Sequence, residues 1–261
     1  MITQSFIFLE RVGSRLEQGI WESGIRDWDG FIATKKVKGL SSHRKLYCNR
    51  KIMEAKKALY NLDSGYFQKL LPQSEMWRLY DFFREDAVFL DIETSGLYRE
   101  SNEITVFGLY DGISTKTMIR GINFDSNLLK KELEKYKLIV TFNGASFDVP
   151  FTEKIYPGML PKVPNFDVKF VTKRLGLDGG LKNIEKMLGI KRRDAVERVS
   201  GGDAFRLWRM YRATGDEHYI KLLVEYNEED IINLKTVAEY CVKKIKEQYA
   251  GIFNNALIKI Q

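Results

Sequence analysis

From Ala87 onward, short apolar runs alternate with amphipathic stretches in an order that points to a mixed α/β fold. Asp86–Glu93, Glu103–Tyr110 and Lys116–Arg120 are rich in β-branched and aromatic residues and read as strands. Asp111-Gly112 marks a tight turn between the second and third. Ser126–Lys135 reads as a helix with Ser126 as its N-cap, and Leu138–Phe142 as a short buried strand. A further helix is expected from near Ser146, an edge strand at Asn165–Val168, and helices near Leu181–Leu188, Gly202–Arg212 and Glu217–Glu247. The stretch Pro157–Pro164 holds three of the five prolines and reads as loop. The expectation is a mixed sheet flanked by helices over residues 85–261.

Upstream of Ala87 the pattern is mostly helical, so residues 1–84 are expected to form a small, basic N-terminal module. Its charge is concentrated. The whole of the chain's net +7 is accounted for between Thr34 and Ala58, where Lys35, Lys36, Lys38, Arg44, Lys45, Arg50, Lys51, Lys56 and Lys57 face a single acid, Glu54, and the remainder is about neutral. Such a segment suits a polyanion, because each neutralised phosphate releases counterions. The other reading is a solvated basic helix. Within Phe6–Phe31, Val12-Gly13 reads as a turn between two short helices, with Gly24-Ile25 closing the second. That arrangement resembles a degenerate helix-hairpin-helix, whose backbone amides contact phosphate without regard to sequence. Arg11 stands where that family has its first hairpin glycine, and a plain helical packing unit is the alternative.

The 261 residues give room for a sizeable core and a small accessory unit. Even the longest apolar runs, such as Leu138–Phe142, are too short to span a bilayer. Ser5–Leu9 has no basic residue before it and no small-residue cleavage site after it, so no secretory signal is expected. Cys48 and Cys241 have no spacing that suggests zinc or a disulfide framework, so a cytoplasmic location is expected.

Four acids carry the chemistry. Asp91 and Glu93 end an apolar strand, and strand alternation points both to one face. Two such charges side by side repel unless a cation sits between them, or unless the strand has simply ended in water. Asp148 falls in the first turn of the helix after Leu138–Phe142, where an acid also serves as a helix-dipole partner. Leu222, Leu223, Tyr226, Asp230 and Leu234 share one helical face, so Asp230 is an acid on the core side, whereas Glu228 and Glu229 look solvated. A lone buried carboxylate is costly unless paired or bound to metal. Asp167 reads either as a fifth acid near the site or as the cap of the following helix.

Asp91-Ile92-Glu93-Thr94, then Asn143-x-x-x-Phe147-Asp148, then Tyr226-x-x-x-Asp230 resemble the three motifs of the DEDD exonuclease superfamily, on a ribonuclease H-like fold. The match runs from about Ala87 to Tyr240 and is nearest to stand-alone relatives of the family B DNA polymerase proofreading domain. The subclass with a histidine five residues before the last aspartate is excluded, because that position is Glu225. The resemblance implies a tyrosine-type 3′→5′ exonuclease using two divalent ions, Mg²⁺ or Mn²⁺, on the 3′ end of single-stranded DNA or RNA. It implies that Asp91, Glu93, Asp148 and Asp230 hold the ions, that Tyr226 orients the attacking water, and that Thr94, Gly96, Leu97, Asn143 and Phe147 contact the substrate. On the residues alone, Phe147 also reads as core and Asn143 as a turn residue. A structure-selective endonuclease on the same fold, or a nucleic-acid-binding adaptor with a vestigial site, stays open.

Overall fold

The computed structural model describes residues 1–98, 100–199 and 201–258. The first part carries helices α1 (Ser14–Glu22), α2 (Trp28–Ala33), α3 (Ser42–Tyr60), α4 (Gly65–Gln68) and α5 (Tyr80–Phe83). Asp27 caps α2 through the Gly30 amide at 2.8 Å. The helix expected ahead of Val12 is instead a run of turns, and α1 begins after Gly13. Its cause is visible: Glu17 Oε1 accepts from the amides of Phe6 and Ile7 at 2.6 and 3.1 Å, which draws those donors into the interior instead of along a helix. At the other end of α1, Gly24 adopts φ +87°, and its amide donates to Trp21 O.

The sheet follows as β1 (Ala87–Thr94), β2 (Ile104–Tyr110), β3 (Thr115–Ile119), β4 (Leu138–Thr141) and β5 (Asn165–Asp167). Its spatial order is β3-β2-β1-β4-β5. The β1–β2 and β2–β3 pairs are antiparallel, while β1–β4 and β4–β5 are parallel. Helices α6 (Ser126–Leu133), α7 (Asp148–Ile155), α8 (Val168–Arg174), α9 (Leu181–Met187), α10 (Asp194–Glu197), α11 (Gly201–Thr214) and α12 (Glu217–Ile258) surround it. Asp125 rather than Ser126 caps α6, because its carboxylate reaches the amides of both Asn127 and Leu128. No described helix is long and apolar enough to cross a membrane.

Alternation along β1 divides the core. Val88, Leu90 and Ile92 pack with Leu129, Leu133 and Phe151 on one side of the sheet. Ala87 and Phe89 pack on the other with Leu234, Val237 and Cys241 of α12, in a cluster that runs without a break into Phe6, Trp21, Trp28 and Phe67 of the N-terminal part.

A buried ion network ties these parts together. The Arg78 side chain is 1% exposed and donates to Glu17 at 2.8 Å and to Glu75 at 2.7 Å. Glu75 also binds Arg174 of α8. The Arg78 guanidinium lies 5.2, 5.3 and 5.8 Å from the ring centres of Tyr249, Trp77 and Trp21, so aromatic faces cover a charge whose donors are occupied by acids.

Candidate metal centre

Asp91 and Glu93 continue the Ala87–Phe89 row, so the alternation that builds the core aims both acids at α12. Tyr226, Asn227 and Asp230 come from the facing surface of α12 and are all buried. One carboxylate oxygen each from Asp91, Glu93 and Asp230 lies within 4.8 Å of the others. Asp148 enters from the start of α7 and accepts the Ile92 amide of β1 at 3.1 Å, which fastens α7 to the strand between the first two acids. All four line one cleft of about 330 Å³.

The same cleft gathers the other expected residues: Thr94, Gly96, Leu97, Asn143, Phe147 and Tyr226. Leu97 stands at the rim, 75% exposed. The Thr94 hydroxyl donates to Gly96 O at 2.7 Å and so shapes the turn leading to Leu97. Asn143 takes φ +64°, and Lys169 donates to its side-chain oxygen. Phe147 packs against Phe151, with ring centres 5.4 Å apart, while still reaching the cleft wall. Asp167 caps α8 through the Lys169 amide and accepts from the amides of Asn143 and Ala145 at 2.8 and 3.0 Å. It therefore holds the turn that presents Asp148 instead of lining the cleft itself.

Several contributors carried no expectation. Asn227 donates to Asp91 Oδ2 at 2.8 Å and fixes that carboxylate. Its approach requires a glycine in mid-strand, since a Cβ on Gly108 would lie 1.9 Å from the Asn227 side chain. A lone glycine inside β2 was the available signal. Arg192 binds Asp230 and Glu185; it sits in the run Lys191-Arg192-Arg193, which reads as a solvated loop. Phe205 of α11 also lines the cleft, with the Arg209 guanidinium 5.0 Å from its ring centre. Glu228 and Glu229 are half-buried rather than solvated, because Glu228 accepts from Thr117 at 3.2 Å and Glu229 pairs with Arg193 at 2.6 Å.

The electrostatics suit a cation. Burial, then the charges of Asp148, Glu93 and Asp230, push the Asp91 carboxyl well above the usual range. Glu93 is raised by burial, then by Asp230 and Asp148. Burial lifts Asp148 to about 7 against the pull of the Ile92 amide, and lifts Asp230 to about 6 against the pull of Arg192. The Tyr226 hydroxyl is raised by burial, then by Asp230, Glu93 and Asp91, so it keeps its proton at neutral pH. Four crowded carboxyls, three of them with oxygens at ligand spacing and with no thiol or imidazole in the cleft lining, fit a hard divalent ion.

These shifts have a consequence for stability. Unfolded, the carboxyls ionise near pH 4; folded without an ion, Asp148 and Asp230 hold protons to about 7 and 6. Between those limits the folded chain binds more protons, so its stability falls as pH rises. In chelator, the unfolding temperature should drop between about pH 4 and about pH 7, by about 2–4 °C per kcal/mol lost. Mn²⁺ should offset the drop, and Asp148→Asn should flatten it. An equally steep drop in Asp148→Asn would remove Asp148 from this account.

A family model described as the RNase_H superfamily matches residues 88–242 of the chain. No curated protein matches it. Among solved structures, the family B DNA polymerase from the hyperthermophilic archaeon Pyrobaculum calidifontis is similar with a TM-score of 0.47 and 14% identity, over 59% of this chain and 24% of the polymerase. Brucella melitensis NrnC with bound Mg²⁺ gives a TM-score of 0.46 and 22% identity, over 68% of this chain and 81% of that one. The same protein bound to pGG gives 0.40 and 22%, over 68% and 80%.

Proposed function

Because the chain belongs to the ribonuclease H superfamily, we propose that it is a metal-dependent 3′→5′ exonuclease that hydrolyses phosphodiester bonds of single-stranded DNA or RNA. The observation that carries this reading is the convergence of Asp91, Glu93, Asp148, Asp230 and Tyr226, from three separated segments, on one cleft. In this reading Asp91, Glu93 and Asp230 would hold one divalent ion, and Asp91, with Asp148 acting through water, would hold the other. Mg²⁺ or Mn²⁺ held there would supply Lewis-acid chemistry, lowering the pKa of water and offsetting negative charge on the scissile phosphate and the leaving 3′-oxygen. Asn227 keeps the Asp91 carboxylate aimed at the cleft. Tyr226 remains protonated, so it acts by orienting the attacking water through a hydrogen bond, not by taking its proton. Leu97 at the rim, with Thr94, Gly96, Asn143 and Phe147 on the walls, seats the terminal nucleotide. Both cysteines are buried free thiols, in keeping with a cytoplasmic setting.

The test uses 5′-labelled single-stranded RNA and DNA with Mn²⁺. A ladder shortening progressively from the 3′ end, abolished by chelation, is expected. One discrete internal cut would make the protein an endonuclease, and no cleavage of either substrate would overturn the reading.

The basic segment is partly engaged within the fold. Lys51 pairs with Glu54, Lys56 with Asp29, and Lys45 is buried over the Phe31 ring. Lys35, Lys36, Lys38, Arg50 and Lys57 are exposed, with no ion pair to another described residue. Neutralising Lys35, Lys36 and Lys38 together should lower the slope of log affinity against log salt by about 0.7 for each phosphate that they neutralise in the wild-type complex. An unchanged slope would show that this segment is only surface.

A further inference from the structure

Arg192 lies in the link between α9 and α10, yet its side chain is 1% exposed, as is that of Glu185. The two form a fork, with Arg192 Nε and Nη2 donating to the Glu185 oxygens at 2.5 and 2.7 Å. Glu185 alone would balance the guanidinium charge. Even so, Nη2 also binds Oδ1 of Asp230. The guanidinium sits 5.4 Å from the Tyr226 ring centre, and Val196 of α10 and Val199 just after it cluster with that ring. Arg192 thus touches both residues that α12 contributes to the third motif.

Burying a guanidinium is costly, and here Nη1 is buried with no hydrogen-bond partner. A purely structural clamp for Glu185 would not need to approach the acid cluster. The placement has two direct consequences. Oδ1 of Asp230 is held by the guanidinium, which fixes how the carboxylate is presented to an ion. A fixed positive charge also stands at ion-pair distance from a metal ligand, where it repels any divalent ion that binds there.

We propose that Arg192 is a resident counter-charge of the metal centre, which fixes the orientation of the Asp230 carboxylate and weakens ion binding until substrate phosphate adds its own negative charge. It is a positioning residue for Asp230 and Tyr226, acting through them. The inference rests on the reading of the four acids as ligands of divalent ions.

The test is Mn²⁺ binding to the full chain without nucleic acid, measured by calorimetry and by electron paramagnetic resonance. Arg192→Met should bind Mn²⁺ at least about fivefold more tightly, since a nearby repulsive charge has gone. Its kcat should fall about tenfold or more, with KM for the polynucleotide within about twofold. Arg192→Lys, which keeps the charge and loses the fork, should return Mn²⁺ affinity toward wild type while kcat stays low. If Arg192→Met fails to fold because Glu185 is left unpaired, Glu185→Gln/Arg192→Met carries the test and should also bind more tightly. A folded variant with equal or weaker Mn²⁺ binding than wild type overturns the proposal, because a mere prop would weaken the site. Wild-type protein that binds no Mn²⁺ would instead overturn the metal reading beneath it.

Discussion

Asp91→Ala should leave a folded protein whose hydrolysis of labelled single strands falls by at least about a thousandfold, a loss of about 4 kcal/mol in transition-state stabilisation. Asp91 is the acid proposed to hold both ions, and its carboxylate is the one that Asn227 fixes from α12. No neighbouring group can replace it, because Glu93 and Asp230 are the acids it must join at ligand spacing. The fold should survive, since the ion-free cluster is a site of repulsion among Asp91, Asp148, Glu93 and Asp230. Removing one of these charges should keep the unfolding temperature in chelator at or above that of wild type. Steady-state turnover together with Mn²⁺ calorimetry checks both halves. Turnover within tenfold of wild type would sink the two-ion assignment; lost activity with a collapsed unfolding temperature would mean that Asp91 holds up the fold.

Arg78→Ala should have the largest effect on stability, about 3–5 kcal/mol, because it strands the buried Glu17 and takes one of two cationic partners from Glu75. Glu17 and Glu75 would lose their partner at 1% and 8% side-chain exposure. Glu75 would keep Arg174, but Glu17 would keep only neutral donors, the amides of Phe6 and Ile7 and the Ser5 hydroxyl. The three rings packed around the guanidinium would also border a cavity. Denaturant unfolding measures the loss, and a double-mutant cycle with Glu17→Gln apportions it. A loss under about 1 kcal/mol would show that the pair is screened like a surface bridge.

How far each feature is legible depends on whether its cause is local. The five strands can be read because alternation and turn chemistry are written into neighbouring residues, as at Asp111-Gly112. Asp230 stands out as an acid on an apolar helical face. The same face carries Asn227, which gives no such signal because a neutral amide brings no charge to the apolar face. The turns at Phe6–Val12 resemble helix in sequence because their cause, the Glu17 carboxylate, acts from further along the chain. The cap of α6 falls one residue earlier than expected, since serine and aspartate both suit that position.

The sequence by itself determined the order of elements, the sidedness of Asp91 and Glu93, and the motifs whose family resemblance implied ten residues now lining one cleft. Period-two and period-3.6 patterning are properties of the backbone, so they survive without knowledge of neighbours. Only the tertiary structure decided that Asp148 fastens to the Ile92 amide, that Gly108 admits Asn227, and that Arg192 crosses from the link between α9 and α10 to Asp230. Those interactions join segments 38 or more residues apart. Their strength comes from burial and charge proximity, which exist only once the sheet and α12 have closed on each other.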